Sequence, residues 1–150
     1  MPLDPIDRHI ISCLVNDARR SFRDIGDEVG LSAPAVKRRV DRLRADGVIT
    51  GFTALVDPGA LGWRTQAFVS VTYTANTSPQ RIRDILEPLP EVVAAYTVSG
   101  GADVLVHLRA EDMAHFEQVL ERLRGAAGVA RTESTIVLSP LIDRPAGEPI

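Results

Sequence analysis

Apolar residues recur at helical spacing through the first third of the chain and alternate through much of the remainder. Asp4 and Pro5 have the types favoured at an N-cap and at the first helical position, and Ile6, Ile10 and Leu14 follow with Cys13 on the same side. That predicts a helix ending near Asp17. Ser21 opens a second, short helix with Phe22, Ile25 and Val29 on its apolar side, and Gly30 stops it. Ser32 caps a third helix with Pro34 in its first turn; Val36, Val40 and Leu43 follow at i, i+4 and i+7, and Gly47 ends it. Three helices in so short a span, the last two joined by a glycine turn, are the helix-turn-helix pattern. "VITGFTALVD" is rich in β-formers and predicts a strand or small wing, and "DPGALGW" (57–63) reads as a linker.

Beyond the linker the rhythm changes. "QAFVSVTY", "VVAAYTV", "VLVHLR" and "VARTESTIVL" predict strands; "SPQRIRDILEPL" and "DMAHFEQVLERLRGAAG" predict helices. The order βαβ–βαβ predicts a ferredoxin-like antiparallel sheet with both helices on one face. The chain is therefore expected to be α+β: a winged helix-turn-helix domain with its linker strand over 1–61, and a ferredoxin-like βαββαβ domain over 62–150. The uncovered sheet face is expected to carry Ala67, Val69, Val71 and Tyr73, or the alternate set, and to seek a partner copy. The tail "DRPAGEPI" (143–150) is expected to be loose.

Charge sharpens this division. The chain of 150 residues has a formal net charge of −3. Residues 1–62 hold nine Lys/Arg and nine Asp/Glu, leaving eight and eleven for the rest. Within the neutral first part, Lys37, Arg38, Arg39, Arg42 and Arg44 cluster, with Asp41 the only acid among them. With Val40 taken as the inward direction and about 100° per residue, Arg38 and Arg42 point outward beside Ala35, Arg39 sits on a shoulder and Lys37 lies nearer the core. The small residues Ala33, Pro34 and Ala35 allow close approach to base edges, arginines reach guanines or phosphates, and the Ser32 end offers backbone N–H groups to a phosphate. Ser32, Pro34, Ala35, Lys37, Arg38, Arg39 and Arg42 are thus the candidate contacts to double-stranded DNA. A solvated charged face is the plain alternative for an arbitrary arginine-rich helix; the tri-helical context favours DNA.

Other chemistries find little support. The opening "MPLDPIDRHI" lacks the charge and apolar pattern of a secretory signal, and no apolar run is long enough to span a bilayer. The chain is expected to be cytoplasmic, without membrane contact. A single cysteine, Cys13, excludes an internal disulfide. His9, His107 and His115 fall on separate elements, and no paired-histidine or Cys/His grouping suggests a metal. Neither a glycine-rich phosphate loop, a nucleophile elbow nor a catalytic acid pair is present. No catalytic residue, cofactor or metal is expected.

The ordered motifs carry a resemblance. Leu3, Asp4, Asp7, Ile10 and Ile11 open the chain; Asp17 and Arg19 precede the second helix; Gly30, Leu31 and Ser32 precede the third; Arg39, Val40, Leu43, Gly47, Ile49, Gly51 and Phe52 follow. With "VSGGADVLV" in the second half, residues 3 to about 142 resemble the leucine-responsive regulatory protein/AsnC, or feast/famine, family of transcriptional regulators. The resemblance implies a sequence-specific DNA-binding regulator, not an enzyme, whose assembly and DNA binding respond to a small effector, an amino acid. It implies a homodimer as the minimum unit and further assembly to an octamer. In a dimer two recognition helices would stand about 34 Å apart, one turn of DNA. It also implies an effector pocket between ferredoxin-like modules that includes Ser99, Gly100, Gly101, Asp103, Thr132 and Ser134. The chemistry is apt: Asp103 would accept from the ammonium, while Gly100, Gly101 and Thr132 would donate to the carboxylate. Gly101 and Ala102 are smaller than the family's usual pair, which implies either room for a larger or aromatic side chain or loss of the response altogether. Two alternatives share the architecture: a sirohaem-decarboxylase-like enzyme, which would need a basic or histidine-lined cavity, and an effector-independent architectural DNA-binding protein.

Overall fold

The computed structural model describes residues 3–143, so residues 144–150 of the proline-containing tail lie outside the described residues. The chain forms two compact units, one running to Leu55 and one from Val56 to Leu141. The first holds α1 (Pro5–Asn16), α2 (Phe22–Val29) and α3 (Ala33–Ala45). Two of the three expected side-chain caps are formed, those of Asp4 and Ser21. The Asp4 carboxylate accepts from the Asp7 N–H at 2.7 Å and the Ser21 hydroxyl from the Asp24 N–H at 3.1 Å. Each satisfies one of the N–H groups a helix start leaves without a partner. Gly30 ends α2 at φ 71°, a left-handed conformation that a side chain would penalise. Ile10, Cys13, Leu14, Ile25, Val36 and Val40 form the core of this unit, with Ile6, Phe22, Val29, Leu31 and Ile49 at its margin.

The strand expected from "VITGFTALVD" is not formed among the described residues: residues 51–57 have no secondary structure. A strand exists only through hydrogen bonds to a neighbour, and no strand among the described residues pairs with this segment. Phe52, Leu55 and Val56 are left at least half exposed. The linker then closes into one 3₁₀ turn, Pro58–Leu61.

The second unit contains β1 (Thr65–Tyr73), α4 (Pro79–Leu86), β2 (Val92–Thr97), β3 (Val104–Ala110), α5 (Met113–Arg124) and β4 (Val129–Ile136). The sheet order is β2-β3-β1-β4, all neighbours antiparallel, which is the ferredoxin-like topology anticipated from the element order. Ala67, Val69 and Val71 pack with Val104, Val106 and Leu108 against Ile82 and Leu86 of α4 and Phe116, Val119, Leu120 and Leu123 of α5. Of the two alternating sets, the odd one of β1 therefore lies under the helices. Phe68, Ser70 and Thr72 occupy the open face, where the Phe68 and His107 rings stack with centroids 4.9 Å apart.

One buried carboxylate braces this layer. Glu91 is 4% exposed and its Oε1 accepts from Arg122 at 2.5 Å, with His115 Nε2 at 3.0 Å. Burial works against its charge, but its own backbone N–H, His115 and Arg122 outweigh that and hold its carboxyl below the usual range. Among the described residues no helix is long and apolar enough to cross a membrane.

Candidate nucleic-acid interface and effector turn

α3 presents its cations according to which residues it buries. Val36, Val40 and Leu43 are each at most 2% exposed. Their mean direction lies about 35° from Val40 alone at helical spacing. This rotation changes the outward face. Arg38 still points to solvent, together with Pro34, Lys37, Asp41 and Arg44, all exposed. Lys37 is therefore not on the core side as Val40 alone suggested: its side chain is 61% exposed and its Nζ lies 2.5 Å from Asp41 Oδ2, one turn on. Arg44 belongs to the outer surface and was missing from the sequence candidates.

Arg39 and Arg42 face the start of α1. Arg39 Nη1 donates to Asp4 Oδ2 at 2.6 Å and to Asp7 Oδ1 at 2.8 Å, and Arg42 Nη2 donates to Asp7 Oδ2 at 2.5 Å. Asp7 is 3% exposed, so the two arginines neutralise a buried charge. The hydrogen bond from Arg39, helped by the Asp7 N–H, holds the Asp4 carboxyl below its ordinary range. These ion pairs tie α3 to α1 and fix its roll. Arg42 remains about half exposed, whereas Arg39 is mostly covered. The Ser32 side chain makes no capping bond, so its exposed hydroxyl is not spent on its own helix; Pro34 is exposed and Ala35 partly so.

The effector candidates divide into two groups. Ser99, Gly100 and Gly101 form an exposed turn between β2 and β3, closed by the Val98 N–H donating to the Asp103 carbonyl at 3.0 Å. Gly100 has φ 133°, and a Cβ on Gly100 or Gly101 would meet nothing within 4 Å. The Asp103 side chain serves the sheet, because its Oδ2 accepts from the Tyr73 N–H at 3.0 Å, where the β1–β4 register shifts between Thr72 and Tyr73. Val104, Val71 and Thr132 are in register across three strands, which brings Thr132 to the same end of the sheet as the turn. Its Oγ1 accepts from Arg124 Nε at 3.1 Å. Ser134 pairs with Val69, further along, and its buried Oγ lines a groove with Met113, Phe116, Leu120 and Ile136. Directly paired residues share a face, so Thr132 and Ser134 lie on the helix-covered side of the sheet.

Known proteins share both units. Residues 3–44 match the AsnC-type helix-turn-helix domain and residues 66–147 the Lrp/AsnC ligand binding domain. The HTH-type transcriptional regulator Rv2324 of Mycobacterium tuberculosis is 51% identical over 142 residues, covering 95% of this chain and 96% of its own. The feast or famine regulatory protein Rv3291c of M. tuberculosis, solved in complex with L-methionine, superposes with a TM-score of 0.90 at 34% identity, over 99% of this chain and 100% of that one. The transcriptional regulator NMB0573 of Neisseria meningitidis, also solved with L-methionine, gives 0.91 at 25% identity, over 96% and 95%. With a three-helix unit matched over residues 3–44 and, later in the chain, a ferredoxin-like unit matched over 66–147, the chain belongs to the Lrp/AsnC family of transcriptional regulators.

Proposed function

We propose that this regulator reads DNA through the outer face of α3 and that an amino acid bound beside the 99–103 turn tunes that binding. The observation that carries the first half is the exposed set Pro34, Lys37, Arg38 and Arg44, held in one orientation by the Asp4–Arg39–Asp7–Arg42 ion pairs. Arg38 is the base or phosphate reader; Lys37 and Arg44 flank it; Ser32, Pro34 and Ala35 make the close approach at the N-terminal end. Arg39 positions the helix, and Arg42 combines that role with its exposed edge. Arg38→Ala is expected to weaken operator binding by about 1–3 kcal/mol if it reads a base, or to reduce the salt slope by about one if it holds a phosphate. Fluorescence anisotropy on the chain's own upstream DNA, over a salt series, reads both. An unaltered affinity and slope would remove α3's outer face from the interface.

For the effector, support comes from relatives solved with L-methionine and from the exposed, glycine-rich turn beside Asp103. Asp103 is the acceptor for the ligand ammonium in this reading, but its Oδ2 also holds the Tyr73 N–H. Asp103→Asn separates the two roles, because an amide oxygen still accepts from Tyr73 while the negative charge is gone. Calorimetric titration of the twenty amino acids should find a ligand whose affinity drops at least about tenfold in Asp103→Asn, the scale of a lost charge-assisted bond. Full affinity in that variant would remove Asp103 from the pocket.

The working unit in this reading is a homodimer or a higher assembly, the octamer included, acting in the cytoplasm and without a catalytic role. The open sheet face and the unpaired 51–57 segment, with Phe52, Leu55 and Val56 exposed, support it. A second copy would supply the ladder that 51–57 lacks. Light scattering that finds a monomer at micromolar concentration would overturn this assembly.

A further inference from the structure

α1 and α2 meet through side chains that neither DNA reading nor effector binding uses. His9 and Cys13 stand one turn apart on α1, and Glu28 reaches them from the last turn of α2. No paired-histidine motif marks this spacing, and the third member lies 15 residues from Cys13 in sequence. His9 Nε2 is 2.8 Å from Glu28 Oε1, Cys13 Sγ is 3.6 Å from the same oxygen, and the three atoms all lie within 4.8 Å of one another. The second oxygen, Oε2, is held by the Arg20 guanidinium. Arg20 thus orients the carboxylate and leaves Oε1 towards the other two donors.

We propose that His9 Nε2, Cys13 Sγ and Glu28 Oε1 are a three-ligand site for a divalent transition metal of the Zn²⁺ type, with the fourth position open to water. The donor set is the nitrogen, sulfur and oxygen combination that such ions take, whereas Mg²⁺ and Ca²⁺ demand oxygens. Tetrahedral coordination at ordinary bond lengths spaces such donors about 3.3–3.6 Å apart. The sulfur–oxygen distance already fits, and the rest needs small rotations of His9 and Glu28, whose side chains are 48% and 39% exposed. Cys13 is 3% exposed and supplies the fixed point. A thiolate and a carboxylate balance the charge of the ion. On binding, the Sγ–H bond breaks, the sulfur–metal bond forms, and the proton leaves to water. The occupied site would join α1 to the end of α2, two residues before the Gly30 turn that leads into α3, and would stabilise the DNA-binding unit by linkage.

The test is titration of the tag-free full chain with Zn²⁺ by calorimetry and with Co²⁺ by absorbance. One ion per chain is expected, with a thiolate-to-cobalt charge-transfer band that identifies Cys13, the single cysteine. Cys13→Ser should abolish that band, and His9→Ala and Glu28→Gln should each weaken Zn²⁺ binding at least about tenfold. His9→Ala alters an exposed side chain, so it reports on the site even if Cys13→Ser unfolds. No Zn²⁺ binding, no thiolate band, or undiminished affinity in His9→Ala would each overturn the proposal.

Discussion

Gly26→Ala is expected to destabilise the N-terminal unit by more than about 3 kcal/mol and to abolish DNA binding with it. Gly26 is buried inside α2, and a Cβ there would overlap the carbonyl oxygen of Leu31, far inside van der Waals contact. That atom is backbone and cannot swing aside. The same place is pinned by hydrogen bonds, since the Gly26 carbonyl accepts from the Gly30 N–H and, at 2.9 Å, from the Leu31 N–H. Relief therefore requires the turn between α2 and α3 to open, and α3 to move with it. Alanine's better helix propensity offsets only about 1 kcal/mol. Set against a whole-domain stability of roughly 5–15 kcal/mol, the loss is large. Gly51→Ala is the control, because a Cβ at Gly51 meets nothing within 4 Å and its backbone needs no left-handed conformation. Urea unfolding followed by circular dichroism measures both. A Gly26→Ala protein as stable as the Gly51→Ala protein would show that the α2–α3 contact is not the constraint described.

Asp7→Ala is expected to cost about 2–3 kcal/mol in stability and to weaken DNA binding without altering its salt slope. Removing one partner of a buried ion pair typically costs about 3–5 kcal/mol because the other charge is stranded. Here the penalty falls below that range: Arg39 keeps Asp4 as a partner, and Arg42, 48% exposed, can rehydrate. The binding loss follows from geometry, since α3 loses the brace that fixes its roll while Arg38, Lys37 and Arg44 keep their charges. A salt slope reduced as in a phosphate-contact variant would count against this account, as would unchanged stability. A double-mutant cycle of Asp7→Ala with Arg39→Ala should give a larger coupling than one with Arg42→Ala, because the Arg39 side chain is the less exposed, at 26%.

Much of the architecture was legible because it rests on interactions a few residues long. Asp4 with the Asp7 N–H, Ser21 with the Asp24 N–H and Gly30 at positive φ are local, so residue type and spacing reveal them. The element order likewise permits one familiar antiparallel topology, which the sheet adopts. What escaped was contact across distance. Arg39 and Arg42 lie 32 and 35 residues from Asp7, so no helical wheel shows that they brace α3. Wheel geometry also turned on the choice of one inward residue, and the three buried positions together swing Lys37 and Arg44 outward. The family resemblance implied Asp103 as an effector ligand, but the Tyr73 N–H that occupies one of its oxygens is 30 residues away.

Helix positions, the Asp4 and Ser21 caps, the α+β element order and the Lrp/AsnC identity were therefore determined by the sequence alone, since each depends on short-range spacing or on the order of motifs. Tertiary structure decided which alternating set of β1 the helices cover, which cations of α3 are spent on α1, and that 51–57 meets no partner strand among the described residues. It also gathered His9, Cys13 and Glu28. The physical reason is common to all four: period and propensity specify which faces are apolar, but only packing supplies the partner each face or charge meets.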